Sequence, residues 1–227
     1  MNRGYAYEAE VIAALQAAGI AGDITEGAGA SAADADADMV INGQRYLVEV
    51  KADRHAQMGG TSVRYTADGF EAVKDLGEAE VAVLQALESR RAALAELAAA
   101  LEVDGFPARV TKAAWTEARQ QGLLKPVNAV VRQTAEFISH HYASKGVHYI
   151  QIGGLGLFYM GENPADLPVP PLEGLVHVEI RAARSGAKPN AQGVPVAAGS
   201  LRVQGRLQFD GLSPYTLDDP ESIRAML

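Results

Sequence analysis

Apolar positions along this chain follow two different periods, and the changes between them mark its elements. Between Gly4 and Ala18, the residues Tyr7, Val11, Ile12, Leu15 and Ala18 recur at three-and-four spacing with Gly19 behind them, which predicts an amphipathic helix over 4–18. Residues 20–35 are small and polar (Gly22, Gly27, Gly29, Ser31), which predicts a loop with a short strand around Ile24. Met39, Val40 and Ile41, then Asn42-Gly43, then Tyr46, Leu47, Val48 and Val50 predict an antiparallel hairpin, because Asn-Gly suits a two-residue type I′ turn. From Gly69 onward helices are expected. Val81, Leu84, Leu87, Leu94, Leu97 and Leu101 predict one long helix or a helical hairpin over 77–101, and further helices are predicted over Thr111–Gln121 and Pro126–Ser144. The stretch VHYIQIGGLGLFYMG predicts two short strands around a bend; LVHVEIRAARSG and SLRVQGRLQFDG predict antiparallel strands. The segment from Ser213 predicts a loop and a helical turn capped by Asp218 or Asp219.

Composition narrows the class. With 227 residues and 48% apolar side chains the chain can bury a sizeable core, and the expected organisation is one α/β domain over 1–227, its core at about 4–75 and helical and strand elaborations over 76–227. No apolar run is long enough to span a bilayer, and MNRGYAYEAE carries acid where a signal peptide is apolar, so a soluble, cytoplasmic protein without membrane partners is expected. The absence of cysteine removes disulfides and thiolate metal sites. A net charge of -8 argues against unspecific coating of nucleic acid but leaves a cleft binder open. Gly153, Gly154 and Gly156 do not form a dinucleotide-binding loop in a strand-to-helix frame, so no nucleotide cofactor is expected.

Chemistry gathers at the hairpin. If Asn42 and Gly43 are the loop, Ile41 faces Gln44, Asp36 lies opposite Glu49, and Asp38 lies opposite Leu47, diagonal to Glu49. Alternation then puts Asp36, Asp38, Glu49 and Lys51 on one face, and Met39, Ile41, Tyr46, Val48 and Val50 on a face for a helix to cover. Neighbouring carboxylates resist joint ionisation, and a hard divalent cation such as Mg²⁺ removes that conflict with oxygen ligands. A lysine beside it orients or deprotonates water and stabilises charge building on a phosphate.

Asp38, ten residues, Glu49, one residue and Lys51 resemble the core motif of the PD-(D/E)XK nuclease superfamily, which includes restriction endonucleases, Holliday junction resolvases and phage or repair exonucleases. Gly4-Tyr5-Ala6-Tyr7-Glu8 resembles the first helix of such enzymes, in which a glutamate contributes to the metal site; Glu8 fits that place better than Glu10. The proline of the motif is absent, Ala37 standing before Asp38, and Asp36 is an alternative ligand.

The resemblance implies a restriction-endonuclease-like core, a mixed central sheet flanked by helices with additional C-terminal strands. It implies Mg²⁺, with Mn²⁺ as a substitute, held by Asp38 and Glu49 with Asp36 and Glu8, and Lys51 positioning or activating water. The expected activity is hydrolysis of double-stranded DNA by a sequence-specific restriction-type homodimer. The alternatives are a phage or repair nuclease and a non-catalytic DNA-binding protein of the same fold. Candidate DNA contacts are Gln57, Thr61, Ser62 and Arg64, in a stretch that resembles the glycine-glutamine loop of some restriction enzymes, and Arg181 and Arg184 on the arginine-studded strands with Lys188, Arg202 and Arg206. His55, His140 and His141 are read as loop and surface residues, not ligands.

Overall fold

A computed structural model describes residues 3–24, 35–189, 195–208 and 211–227, with side chains for all of these but 187–189, 195 and 196. Gly27, Gly29 and Ser31 of the predicted loop, and the Lys188 side chain, lie outside the described residues. In chain order the elements begin with α1 (Arg3–Ala18), β1 (Ala37–Ile41), β2 (Gln44–Lys51), β3 (Met58–Thr66) and β4 (Gly69–Ala72). Then come α2 (Ala79–Glu88), α3 (Arg91–Ala100), β5 (Ala108–Thr111), α4 (Lys112–Gln120), β6 (Ala129–Thr134) and α5 (Glu136–Ala143). The last are β7 (Val147–Ile152), β8 (Gly156–Tyr159), β9 (Leu175–Pro189), β10 (Pro195–Gln208) and α6 (Pro220–Met226). The chain is therefore mixed α/β.

These elements divide between two compact units whose sequences interleave: Met1–Met58, Thr134–Val176 and Arg206–Leu227 form the first, Gly59–Gln133 and His177–Gly205 the second. Residues 59–75, placed in the core by the sequence reading, belong to the second unit.

The first unit is built on the Asn-Gly turn. Asn42 and Gly43 both take positive φ, 52° and 76°, as a type I′ turn requires. The register follows as expected, with Ile41 opposite Gln44 and Asp38 opposite Leu47. β7 runs parallel to β2 and β8 antiparallel to β7, giving the order β1-β2-β7-β8. The chain ahead of the hairpin runs along the free edge of β1: Val40 N donates to Ile20 O at 2.7 Å and Gly22 N to Asp38 O at 3.1 Å. Ala21 and Met39 form an isolated bridge there, and the described residues 20–24 form no strand of the kind expected near Ile24.

Met39, Tyr46, Val48 and Val50 bury one sheet face in a cluster with Tyr7, Val11, Ile12 and Leu15 of α1 and Ile223 and Met226 of α6. Each such aliphatic side chain contributes about 1.5–3 kcal/mol on burial. α5 lies against β7, and its Tyr142 reaches Glu49 on the opposite face. Helices thus flank both faces of this mixed sheet.

The second unit holds the sheet β4-β3-β10-β9-β6, with β5 paired to β10. Two expectations are corrected by these elements, and one left open is narrowed. The stretch 58–66 is a strand and not a loop, pairing with β4 where a helix was expected to begin; Val63 and Tyr65 are buried in alternation with exposed Arg64, a pattern that Gly59 and Gly60 disguise. Pro126 does not open a helix: Ala129–Thr134 is strand β6, suited by β-branched Val130, Val131 and Thr134, and only 136–143 is helical. The 77–101 helix breaks at Ser89 and Arg90 into α2 and α3, the helical-hairpin alternative.

Candidate active site

At the open end of the hairpin, Asp36, Glu49 and Lys51 come together. Asp36 stands one residue ahead of β1, where Val50 N donates to its Oδ2 at 2.9 Å and Lys51 Nζ lies 3.5 Å from the same oxygen. Lys51 Nζ also forms a close ion pair with Glu49 Oε1. From α5, the Tyr142 hydroxyl donates to Glu49 Oε1 at 2.9 Å. Asp36 is 9% exposed and Glu49 6%, so both carboxylates are held largely away from water.

The electrostatics show how crowded the cluster is. Burial raises the Asp36 pKa, and Glu49 adds to the rise against the opposing pull of Lys51 and the Val50 N–H. Burial also raises Glu8 of α1, with Asp36 and Glu49 adding and Lys51 opposing, so Glu8 feels the same field. Burial alone would pull the Lys51 amine down; Tyr142, Glu49 and Asp36 more than offset it and hold the amine above the ordinary lysine value. Three carboxylates thus share one ammonium group, and two of the acids resist ionisation.

Asp38 lies on the same strand face but does other work. Its Oδ1 accepts from Ile24 N at 2.9 Å, and its Oδ2 from Asp23 N at 3.1 Å and from Arg45 Nε at 2.5 Å. A Cβ at Gly22 would sit 2.1 Å from Asp38 Oδ2, so only glycine lets the preceding chain close over this carboxylate. Both Asp38 oxygens are satisfied by protein donors, and the ion pair it makes is with Arg45, not Lys51.

Among the described residues, no three acidic or histidine side chains are gathered tightly enough to form a ready-made metal site. The donor chemistry nevertheless suits a hard cation. Asp36 Oδ1 and Glu49 Oε2 accept no hydrogen bond among the described residues, and the local excess is negative. Two carboxylates suit Mg²⁺, which binds through one or two carboxylates and completes its shell with water.

The other predicted residues fall in several places. Gln57 lies half-buried in the turn before β3; Thr61, Ser62 and Arg64 are on β3, Arg64 donating to Glu71 at 2.7 Å across the β3–β4 pair. Arg181 and Arg184 of β9 line a cavity of about 520 Å³ in the second unit, together with Lys112, Arg119 and Arg202. His55 N caps a turn on Asp53 at 2.8 Å. Asp219 caps α6, and Asp218 accepts from Tyr7 OH at 2.6 Å.

Two participants were not foreseen. Tyr142 is 93 positions from Glu49 and carries no spacing signal. Fully buried Gln151, in the middle of an apolar strand, donates to Tyr7 OH and Thr216 Oγ1, both at 2.8 Å, and accepts from Leu217 N at 2.9 Å, tying α1 and the segment before α6 beneath the hairpin. A polar residue amid β7's apolar run was the available signal for it.

No helix among the described residues is long and apolar enough to cross a membrane. No family model matches this chain, and no match to it was found among curated proteins or solved structures.

Proposed function

We propose that the first unit is a PD-(D/E)XK-type nuclease core and that the protein hydrolyses phosphodiester bonds of double-stranded DNA with Mg²⁺, as a restriction-type endonuclease. The observation that carries this reading is the meeting of Asp36, Glu49 and Lys51 at one hairpin end, two acids and an amine poised around one point. The order of elements supports it: a helix, an isolated bridge at the β1 edge, a hairpin, a second helix and a strand parallel to β2, with helices on both faces. Within it we assign Asp36, in preference to Asp38, as the aspartate that acts with Glu49.

Asp36 and Glu49, with Glu8 beside them, would hold Mg²⁺ or Mn²⁺, which supplies Lewis-acid polarisation of the phosphoryl group and a more acidic water when bound. The remaining chemistry belongs to the chain. Lys51 is kept as an ammonium by its acidic surroundings, so it directs N–H donors at a phosphate oxygen or the attacking water and stabilises charge that grows in the transition state. Tyr142 fixes the orientation of Glu49, and the Val50 N–H fixes Asp36. Cutting both strands of a palindromic site calls for two copies related by twofold symmetry, so a homodimer is part of the proposal.

The test is incubation with supercoiled plasmid and phage genomic DNA, with Mg²⁺ or EDTA, beside Glu49→Ala and Lys51→Ala proteins. Discrete Mg²⁺-dependent fragments, lost in both variants, are expected. A smear would replace the restriction-type reading with a resolvase or exonuclease, and Mg²⁺-dependent cleavage that survives Glu49→Ala would sink the assignment of the site.

A further inference from the structure

The cavity in the second unit has a charge pattern opposite to that of the whole chain. Lys112 and Arg119 come to it from α4, Arg181 and Arg184 from β9, and Arg202 from β10, and no acidic side chain lines it. Among the described residues none of these five cations forms a salt bridge, in a protein whose formal net charge is -8. Arg181 Nη2 donates to Gln204 Oε1 at 2.7 Å, a neutral partner that orients the guanidinium without cancelling its charge. Arg184 Nη1 is buried and has no hydrogen-bond partner among the described residues. A guanidinium N–H stripped of water without an acceptor carries a desolvation cost that a bound anion would relieve.

We propose that this cavity is a phosphomonoester-binding pocket, taking the terminal phosphate of a nucleic-acid strand or the phosphate of a free nucleotide. The choice of a nucleotide over other phosphate esters rests on the nuclease reading; the choice of phosphate does not. Guanidinium forks match tetrahedral oxyanions in bidentate geometry, and several of them lining one cavity suit a group carrying close to two charges better than a singly charged diester. Size points the same way. A volume of about 520 Å³ falls within the range of small-ligand pockets and admits a nucleotide, while a duplex is too wide to enter, so only a strand end or a free nucleotide fills it.

Trp115, the one tryptophan of the chain, also lines this cavity, so intrinsic tryptophan fluorescence reports on it alone. The experiment titrates the full chain in EDTA with deoxynucleoside monophosphate, inorganic phosphate, a 5′-phosphorylated duplex and the same duplex ending in 5′-hydroxyl, following fluorescence and heat. A fluorescence change with the nucleotide or the phosphorylated duplex is expected, and Arg184→Gln should weaken it roughly tenfold, the loss of one charge-assisted hydrogen bond. Should Arg184→Gln lower the melting temperature, Lys112→Gln on the exposed face of α4 gives the same reading without a buried change. Tighter binding of the phosphorylated duplex identifies a strand end as the source, and tighter binding of the monophosphate identifies a free nucleotide; either supports the pocket.

Equal affinity for the phosphorylated and hydroxyl-ended duplexes, with no response to the monophosphate, would overturn the proposal, as would no binding of any ligand below about 1 mM. Glu49→Ala protein, run in parallel, keeps the two readings apart. Phosphate binding without any DNA cleavage by the unaltered chain would leave the pocket standing and remove the nuclease; cleavage without phosphomonoester binding would do the reverse.

Discussion

The hairpin end of the first unit and the cavity of the second each concentrate charge of one sign, and they differ in how the protein answers it. The acids Asp36 and Glu49 are met from inside the fold by Lys51, the Val50 N–H and the Tyr142 hydroxyl, and what remains is a partial excess expressed as raised pKa values of Asp36 and Glu8. Among the described residues the five cations of the cavity are met by a neutral amide at Arg181 and by no acidic side chain. An internally answered cluster is shaped for chemistry that must hold groups in fixed positions. An unanswered one is shaped for a ligand that brings the countercharge with it. The net charge of -8 averages over both and predicts neither.

The largest effect expected is on the answered cluster. Glu49→Gln should keep the fold and lower Mg²⁺-dependent cleavage by more than about 100-fold, as loss of a metal-holding group does; single-turnover cleavage beside a melting curve measures both. Undiminished cleavage would reduce the cluster to an ordinary ion pair.

Next comes a contrast between two aspartates on one strand face. Asp38→Asn removes charge-assisted bonds that tie down Asp23, Ile24 and Arg45 and should cost about 1–3 kcal/mol in urea unfolding while folded protein still cuts. Asp36→Asn should show the opposite, with cleavage lost and stability unchanged or higher. If the two variants behave alike, the division of labour between Asp36 and Asp38 is wrong.

A smaller effect is expected from pH. The folded pKa values of Glu8 and Asp36 lie above their ordinary values of 4.5 and 3.8, so the folded state binds more protons than the unfolded chain in that window. Their contribution to stability is complete below the ordinary carboxylate range and is lost as pH rises through the raised values. Metal-free protein should therefore lose stability as pH rises across that interval, and Asp36→Asn should flatten the slope. Urea midpoints in EDTA from mildly acidic to neutral pH give the measurement; a rising profile from these groups would contradict the assignment.

The smallest effect belongs to the unanswered pocket. Arg119→Gln, exposed on α4, should change stability by no more than about 0.5 kcal/mol, since no side-chain partner among the described residues is lost. A larger destabilisation would mean that the fold itself answers the pocket's charge.

What the sequence made legible was local. Asn42-Gly43 states its turn, the turn sets the register, and the register puts Asp36 opposite Glu49 without any knowledge of the rest of the chain. Strand alternation went no further, because it places Asp36 and Asp38 on one face alike. Two of the donors that claim Asp38 belong to Asp23 and Ile24, 15 and 14 positions earlier, and their approach depends on the missing side chain of Gly22. The helix read over 126–144 held at 136–143 and failed over 129–134, where β-branched residues favour a strand and pairing with β9 decides. The two units were hidden for a different reason: the chain passes between them inside strands β3, β6, β9 and β10, so no linker composition marks the boundary.

The joining of α1 and α6 in one core has a consequence for synthesis. Tyr7, Val11 and Leu15 share their buried surroundings with Ile223 and Met226, and Tyr7 is bonded to Asp218. At ribosomal rates of about 5–20 residues per second, roughly 10–40 s separate the emergence of the first helix from that of the last. Throughout that interval the apolar face of the newborn α1 lacks part of its cover and is open to chaperones or to another nascent chain. The sheet that carries Asp36 and Glu49 has its apolar face fully covered only after residue 226 has been made.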